Sequence, residues 1–291
     1  MLQGVVVKAY SGYYYVQTGD RVTACSLRGR FKKERVSLLV GDEVAYSAVG
    51  QGKGGIEEIL PRRSLLKRPL VANVDHVVLT FAAVNPDIGT ALVDRFLVLA
   101  EWSGLEAGLC INKIALADTS ALAPLVEVYR AAGYPVLLTS AKTGQGVDEL
   151  RGRLYGRITV FAGPSGVGKS SLLNALQPGL SLVTGEVSRK IGRGKHTTRF
   201  AELLPLSGGG FVVDTPGFSQ TEFAELDEQH LQHYYPEIAA CAVDCKFASC
   251  LHAKEPRCAV KQAVAEGRIA RSRYESYLEV LDEIRASKKG F

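Results

Sequence analysis

The first 67 residues alternate apolar and polar positions in short runs. Stretches 4–9, 13–18, 21–26, 43–48 and 56–60 each carry the two-residue period of a half-buried strand. Turn signals separate them, Gly19-Asp20 and Gly50-Gln51-Gly52 among them. Five short strands in so small a stretch predict a closed β-barrel of the OB type over residues 1–67.

The pattern changes over residues 68–219. The continuous apolar run 77–83 reads as a strand buried on both faces. Helical spacing follows over 91–102, a strand over 109–112, a helix over 121–132 and a strand over 135–139. Another strand, 158–162, leads through a glycine-rich turn into a helix over 169–176, and 201–205 with 210–214 reads as a hairpin. Strands alternating with helices predict an α/β doubly wound sheet. Residues 220–291 hold a cysteine cluster and then helix, with Tyr274, Leu278, Leu281 and Ile284 recurring at helical spacing as a core stripe. The chain is therefore expected to be multidomain α/β: a small barrel (1–67), an α/β domain (68–219) and a helical domain carrying the cysteine cluster (220–291).

Charge adds one refinement. The formal net charge is +5, and residues 1–67 alone hold 11 Lys/Arg against 6 Asp/Glu. Local positive charge is the footprint of phosphate-backbone binding. Arg28, Arg30, Lys32 and Lys33 would form a basic loop between barrel strands. No apolar run approaches the roughly 18–20 residues of a membrane span. The opening residues lack the basic and apolar regions of a signal peptide. A cytoplasmic protein with no membrane partner is expected.

The strongest chemical signal is Gly163-Pro164-Ser165-Gly166-Val167-Gly168-Lys169-Ser170, between a predicted strand and a predicted helix. It matches G-x-x-x-x-G-K-[ST]. Its glycines let backbone N–H groups wrap phosphates, and the helix N-terminus, continuing through Ser171, adds positive potential. Lys169 is expected at the β- and γ-phosphates and Ser170 on Mg²⁺. Asp214-Thr215-Pro216-Gly217 follows an apolar strand, the context in which the Asp supports Mg²⁺ and the Gly N–H senses the γ-phosphate. Between them, Gly192-Arg193-Gly194-Lys195-His196-Thr197-Thr198-Arg199 is a glycine-rich basic stretch whose Thr could close the Mg²⁺ shell.

Base-recognition motifs stand upstream of the phosphate loop. Asn112-Lys113-Ile114-Ala115 ends one strand and Ser140-Ala141-Lys142 ends the next. Ligands bind at strand carboxyl ends in open α/β sheets. Asn112-Lys113 and Ser140-Ala141-Lys142 resemble the elements that hold guanine in GTPases, where Asn and Lys frame the base and a backbone N–H from the Ala position, here Ala141, meets its O6. Further on, Cys245-x₄-Cys250-x-His252-x₅-Cys258 offers three thiolates and an imidazole, a closed tetrahedral zinc site with no open position for catalysis. Cys25 and Cys110 fall on predicted strands and read as core.

Taken in chain order, these motifs resemble the circularly permuted GTPases. With the preceding barrel and the following Cys/His cluster, the chain is similar across essentially its full length to the small-subunit-dependent ribosome GTPases of bacteria. Gly194-Lys195-His196-Thr197-Thr198-Arg199 and Asp214-Thr215-Pro216-Gly217-Phe218 closely match that family's motifs. The resemblance implies GTP hydrolysis with Mg²⁺, slow until the small ribosomal subunit stimulates it, and a role in late small-subunit (30S) maturation through rRNA binding. It also favours Cys245, Cys250, His252 and Cys258 over Cys241 as the ligands of one structural Zn²⁺, and a monomer is expected.

Two departures from ordinary GTPase patterns bear on chemistry. Ala115 occupies the place where family members usually carry Asp, the acceptor for guanine N1–H and N2 amino groups, and Asp118 stands at the wrong spacing. Phe218 occupies the place of a water-orienting Gln, and a phenyl ring cannot orient water. His196 is then the best candidate to do so, with Thr198 closing the magnesium shell. The rival reading is an RNA-binding assembly module with a weakly hydrolysing or base-relaxed nucleotide site.

Overall fold

Alternation over the first residues becomes a barrel because every second side chain finds the same interior. The computed structural model describes residues 1–29, 31, 37–50, 52–67, 69–180, 201–214 and 223–289. Strands β1 (Leu2–Tyr10), β2 (Tyr13–Thr18), β3 (Arg21–Leu27), β4 (Glu43–Gly50) and β5 (Lys53–Ile59) close in the order β1-β2-β3-β5-β4. β4 returns antiparallel to β1, while β3 and β5 run parallel. That is the OB connectivity. Val6 faces Val16 across β1 and β2, and both pack with Cys25, Val44, Tyr46 and Ile56 in the interior. Asp42 fixes the entry to β4: its buried carboxylate accepts from Leu39 N–H at 2.7 Å and from the Arg62 guanidinium at 2.6 and 2.8 Å.

A short antiparallel ribbon, β6 (Leu65–Lys67) with β7 (Leu70–Ala72), follows; its strands are too short for a sequence period to reveal. The same compact unit holds β11 (Ile158–Ala162 in full, its last residue excepted), β12 (Glu202–Pro205) and β13 (Phe211–Asp214), ordered β11-β13-β12. β13 is parallel to β11 and forms the expected hairpin with β12.

The other unit takes up β8 (His76–Ala82) from Val77, and the strand is buried at every position, its polar His76 and Thr80 included. Helix α1 (Thr90–Trp102), β9 (Glu106–Asn112), α2 (Thr119–Ala131) and β10 (Val136–Leu138) follow, the strands ordered β10-β9-β8. Asp118 starts α2 as its N-cap, accepting from Ser120 N–H. Helix α3 (Val147–Leu154), which apart from Val147 belongs to the first unit, precedes β11, and α4 (Lys169–Leu176), in this unit as far as Leu172, begins at the last Lys-Ser of the glycine-rich turn.

The C-terminal part contains α5 (Pro236–Ala242), α6 (Ala259–Ala265) and α7 (Arg271–Lys289). The buried row of α7 differs from the apolar stripe expected for it. Tyr274 and Leu278 are only half-buried, and Arg273, Tyr277, Val280, Leu281 and Ile284 form the inner face. An arginine can lie there because it is fully partnered. Its guanidinium donates to Asp94 at 2.7 Å and to Glu237 at 2.6 and 3.2 Å, and it lies 4.7 Å from the Tyr235 ring centre. Among the described residues, no helix is long and apolar enough to cross a membrane.

Candidate functional site

The glycine-rich turn is shaped by its glycines. Gly163, Gly166 and Gly168 all have positive φ, a region an L side chain avoids. A Cβ at Gly163 would stand 1.9 Å from the Thr80 carbonyl oxygen, and one at Gly168 would stand 2.6 Å from Asn112 Nδ2. Both positions therefore demand glycine twice over, for backbone conformation and for space. Val167 is buried between them. Lys169 Nζ donates to the carbonyls of Gly163 and Pro164 at 2.7 and 2.9 Å, so the ammonium sits over the mouth of the turn. Burial lowers its pKa, since fewer waters stabilise the charge there. Pro164, Ser165 and Ser170 line the turn, with Ser170 half-buried in the first turn of α4 and Ser171 exposed beside it.

Asn112, at the end of β9, ties this turn to the loop after β10. Its buried side chain donates from Nδ2 to the Val167 carbonyl at 3.0 Å. Its Oδ1 accepts from the Ala141 N–H at 3.1 Å, with Thr139 Oγ1 at 3.4 Å. One amide thus joins segments 55 and 29 residues away. Ser140 is buried and its hydroxyl accepts from Thr143 N–H, which turns the loop and leaves Lys142 exposed. Lys113 takes a left-handed conformation and donates to the Asn85 carbonyl. Ala115 is exposed in the short turn Ile114–Leu116. The sequence motifs Asn112–Lys113, Ser140–Lys142 and Gly163–Ser170 are therefore brought to one place. The contact of Asn85 with Lys113 was missed; nothing in the local spacing of residue 85 signals it.

Asp214 closes β13, where its backbone pairs with Glu202. Its side chain, Gly217, Phe218, His196, Thr197 and Thr198 lie outside the described residues, as do Arg30, Lys32 and Lys33 of the basic loop. Of that loop, Arg28 is described, and its guanidinium is paired with Glu57.

The cysteine cluster is compact. Ligand atoms of Cys245, Cys250, His252 and Cys258 all lie within 4.8 Å of one another. Cys245 Sγ stands 3.9 Å from Cys258 Sγ, and His252 Nδ1 stands 3.5 and 3.4 Å from those two sulfurs. These separations suit four donors about 2.0–2.3 Å from a common Zn²⁺. The chemistry of the set agrees, because three thiols and a neutral imidazole buried together are stable as thiolates only around a cation. Without one, burial pushes the Cys250 thiol up to about 12 and lowers the His252 pKa. His252 uses Nδ1 toward the sulfurs and directs Nε2 at Gln232 Oε1, 2.8 Å away. Tyr274 and Tyr277 hydroxyls donate to the carbonyls of His252 and Leu251, and Glu255 accepts from Leu251 and Ala253 N–H. Those four supporting side chains escaped the sequence reading. Cys241 is not in the cluster; its sulfur accepts from Arg268 at 3.5 Å. Cys25 and Cys110 are buried in strands, as expected.

Comparison with known proteins agrees with this arrangement. Residues 59–224 match the RsgA GTPase family and residues 3–56 the RsgA N-terminal domain. The small ribosomal subunit biogenesis GTPase RsgA of Moorella thermoacetica is 49% identical over 290 residues, covering 100% of both chains. That of Geobacillus thermodenitrificans is 48% identical, covering 99% of each. The crystal structure of YjeQ from Thermotoga maritima superposes with a TM-score of 0.87 at 42% identity, over 97% of this chain and 98% of that one. YloQ, described as a circularly permuted GTPase, gives 0.84 at 41% identity, over 98% and 95%. A phosphate loop placed after its base loops, behind a closed five-stranded barrel and ahead of a Cys₃His cluster, thus belongs to a GTP hydrolase, and this chain is a member of the RsgA family.

Proposed function

We propose that this chain is a nucleotide-switched assembly factor of the small ribosomal subunit, whose GTP hydrolysis is slow alone and fast on the subunit. The observation that carries the reading is the bridge made by Asn112. A buried side chain that joins the glycine-rich turn to the Ala141 loop makes one frame of motifs whose residue types suit the two ends of a nucleotide. In that frame Gly163–Gly168 N–H groups and Lys169 hold the phosphates, Ser171 extends the helix start, and Asn112, Lys113, Ser140, Ala141 and Lys142 hold the base. Mg²⁺ suits the hydroxyl of Ser170, with Thr198, Asp214 and Gly217 as further contributors at the γ-phosphate, and it supplies charge neutralisation there. The names of the relatives, which are small-subunit biogenesis GTPases, support the subunit and its rRNA as partner. The cytoplasm is where that partner is assembled. The barrel, with Arg28, Arg30, Lys32 and Lys33, is the first surface for phosphate contacts.

Phosphate release under multiple turnover, with GTP or ATP and with or without small subunits, tests this. GTP turnover should rise sharply with subunits and ATP turnover should not. An unstimulated rate at saturating subunit rejects the switch. The same assay assigns His196. With Phe218 unable to orient water, His196→Ala should leave the slow basal rate intact and remove most of the stimulated kcat, with GTP affinity unchanged. Equal stimulated kcat values would pass that role to a group of the ribosome.

A further inference from the structure

We propose that zinc and nucleotide are linked ligands of this chain, so that metal in the Cys₃His cluster tightens nucleotide binding and nucleotide tightens metal binding by the same factor. The inference rests on the nucleotide reading above and adds its regulation: the nucleotide frame reaches full affinity only in the metal-loaded chain.

The carrier is the first half of α7, whose side chains reach two ways. Tyr274 and Tyr277 donate to the carbonyls of His252 and Leu251, at 2.6 and 3.1 Å. Those carbonyls belong to the loop that holds the metal ligands. Arg273, beside Tyr274, donates to Asp94 of α1 at 2.7 Å and to Glu237 of α5. Its guanidinium carbon also lies 5.7 Å from the ring centre of Tyr129, on α2. Farther along, Glu283 pairs with Arg95 and Arg285 with Glu228, so the second half of the helix has anchors of its own.

From Arg273 the contacts continue to the nucleotide frame. Tyr129 donates its hydroxyl to the Thr90 carbonyl at 3.3 Å, in the first turn of α1. Just before that helix, Pro86 lies against the glycine-rich turn, since a Cβ at Gly166 would stand 3.8 Å from its Cδ. The neighbouring Asn85 carbonyl accepts from Lys113 Nζ. All of these residues fall within the one compact unit formed by Val77–Val147, Ala162–Leu172 and Ser219–Phe291.

The joint between α7 and α1 has two states. The side chains of Arg273 and Asp94 are 1% and 0% exposed, and charges so deep are stable only as a pair. A small slide of α7 would strand both, so the first half of the helix is either docked or released. The zinc loop tips that balance. Between the last residue of α5 and the cap of α6 the chain forms no helix or strand, and the metal keeps the Leu251 and His252 carbonyls within reach of the tyrosines. Without metal, Tyr274 and Tyr277 lose their acceptors, and α1 with residues 85–86 loses the support of a docked α7. Nucleotide must then supply that ordering itself, which weakens its binding. Linkage makes the effect reciprocal.

Titration calorimetry of GDP, with Mg²⁺ in excess, on the full zinc-loaded chain and on the same chain after a zinc-selective chelator, tests this. Zinc removal should weaken GDP binding about five-fold or more, the lower end of ordinary coupling between sites. Competition with a zinc chelator dye should show zinc held tighter by the same factor when GDP is bound. Tyr274→Phe combined with Tyr277→Phe keeps both rings and removes only their bonds to the loop. That variant should still take up about one zinc per chain and should lose most of the GDP response to zinc. A natural chain with a smaller response than stated would overturn the inference. So would a double variant that keeps most of the response, because the coupling would then bypass α7. Loss of the whole fold on zinc removal, seen by circular dichroism, would overturn it too, since the metal would then hold the entire chain and not one helix. A zinc-loaded chain that binds no GDP at all rejects the nucleotide reading itself.

Discussion

The Cys₃His cluster and the nucleotide frame are both built from loops, yet they hold their polar atoms in opposite ways. In the cluster, four ligand atoms lie within 4.8 Å of one another, and a surrounding set of side chains supports them. In the nucleotide frame the bonds run sideways, Asn112 to Val167 and Ala141, Lys169 to Gly163 and Pro164, and they shape a mouth without filling it. The cluster draws its ligands from 14 consecutive residues, 245–258, whereas Asn112 reaches 55 residues along the chain. A closed site answers to its own metal. An open frame answers to the packing of the whole sheet. Substitutions should separate the two behaviours.

The largest effect belongs to a ligand of the cluster. His252→Ala or Cys250→Ala removes a donor from a site whose metal affinity is itself folding energy, on the order of 10–16 kcal/mol in small zinc modules at pH 7. Elemental analysis should find about one zinc per chain in the natural protein and little in either variant. Limited proteolysis should then cut the C-terminal region first, with the barrel intact. A zinc-free chain that resists cleavage throughout would break the comparison.

Asn112→Ala comes next. It strands the buried Val167 carbonyl and the half-buried Ala141 N–H, at a cost of about 2–4 kcal/mol for two groups left without their partners. Chemical denaturation should register that loss, and GDP binding should weaken with it while zinc content stays at one. If nucleotide affinity fell with no change in stability, Asn112 would touch only the base and would not hold the frame together.

The spread in these effects follows how far each feature was legible in the sequence. The zinc ligands were, because cysteine and histidine at short spacing have few other uses in such a run. The glycine-rich turn between β11 and α4 was, because its glycines are demanded by positive φ and by the close approach of Thr80 and Asn112. The barrel was, because alternation marks each of its strands, although the parallel pairing of β3 with β5 is a matter of topology that no local pattern carries. Arg273 was not. A charged residue breaks an apolar stripe on paper, and only Asp94 and Glu237, 179 and 36 residues away, make it a core residue. Gln232 and Tyr277 escaped for the same reason, since a residue that supports a ligand has no spacing of its own, and Tyr274 was marked by its spacing as core without its bond to the His252 carbonyl.

Gln232→Leu tests that supporting layer. The imidazole of His252 would lose the acceptor for its Nε2–H, and such losses typically weaken metal affinity by about 10–100-fold without abolishing the site. Competition with a zinc chelator dye should show that shift, with folding unchanged at saturating zinc. Affinity equal to the natural chain's would mean that the two sulfur neighbours alone orient the ring.

The smallest effect is expected at Cys241, and its smallness is informative. Cys241 precedes Cys245 by four residues, so by spacing it could have served in the cluster. In the fold it stands apart on α5, half-buried, with Arg268 donating to its sulfur at 3.5 Å. Cys241→Ser should therefore keep one zinc per chain and alter stability by no more than about 0.5 kcal/mol, as a substitution outside packing and networks does. Thiol titration of the folded, zinc-loaded protein gives the sharper readout. Reactivity needs thiolate, and burial pushes Cys25 up to about 11 and Cys110 up to about 12, so both stay protonated at pH 8. With four residues closed around the metal, Cys241 is the fast-reacting thiol, one equivalent in the natural chain and none in the variant. Two or more fast equivalents in the natural chain would show a cluster cysteine free of metal, and zinc lost from Cys241→Ser would place Cys241 among the ligands after all.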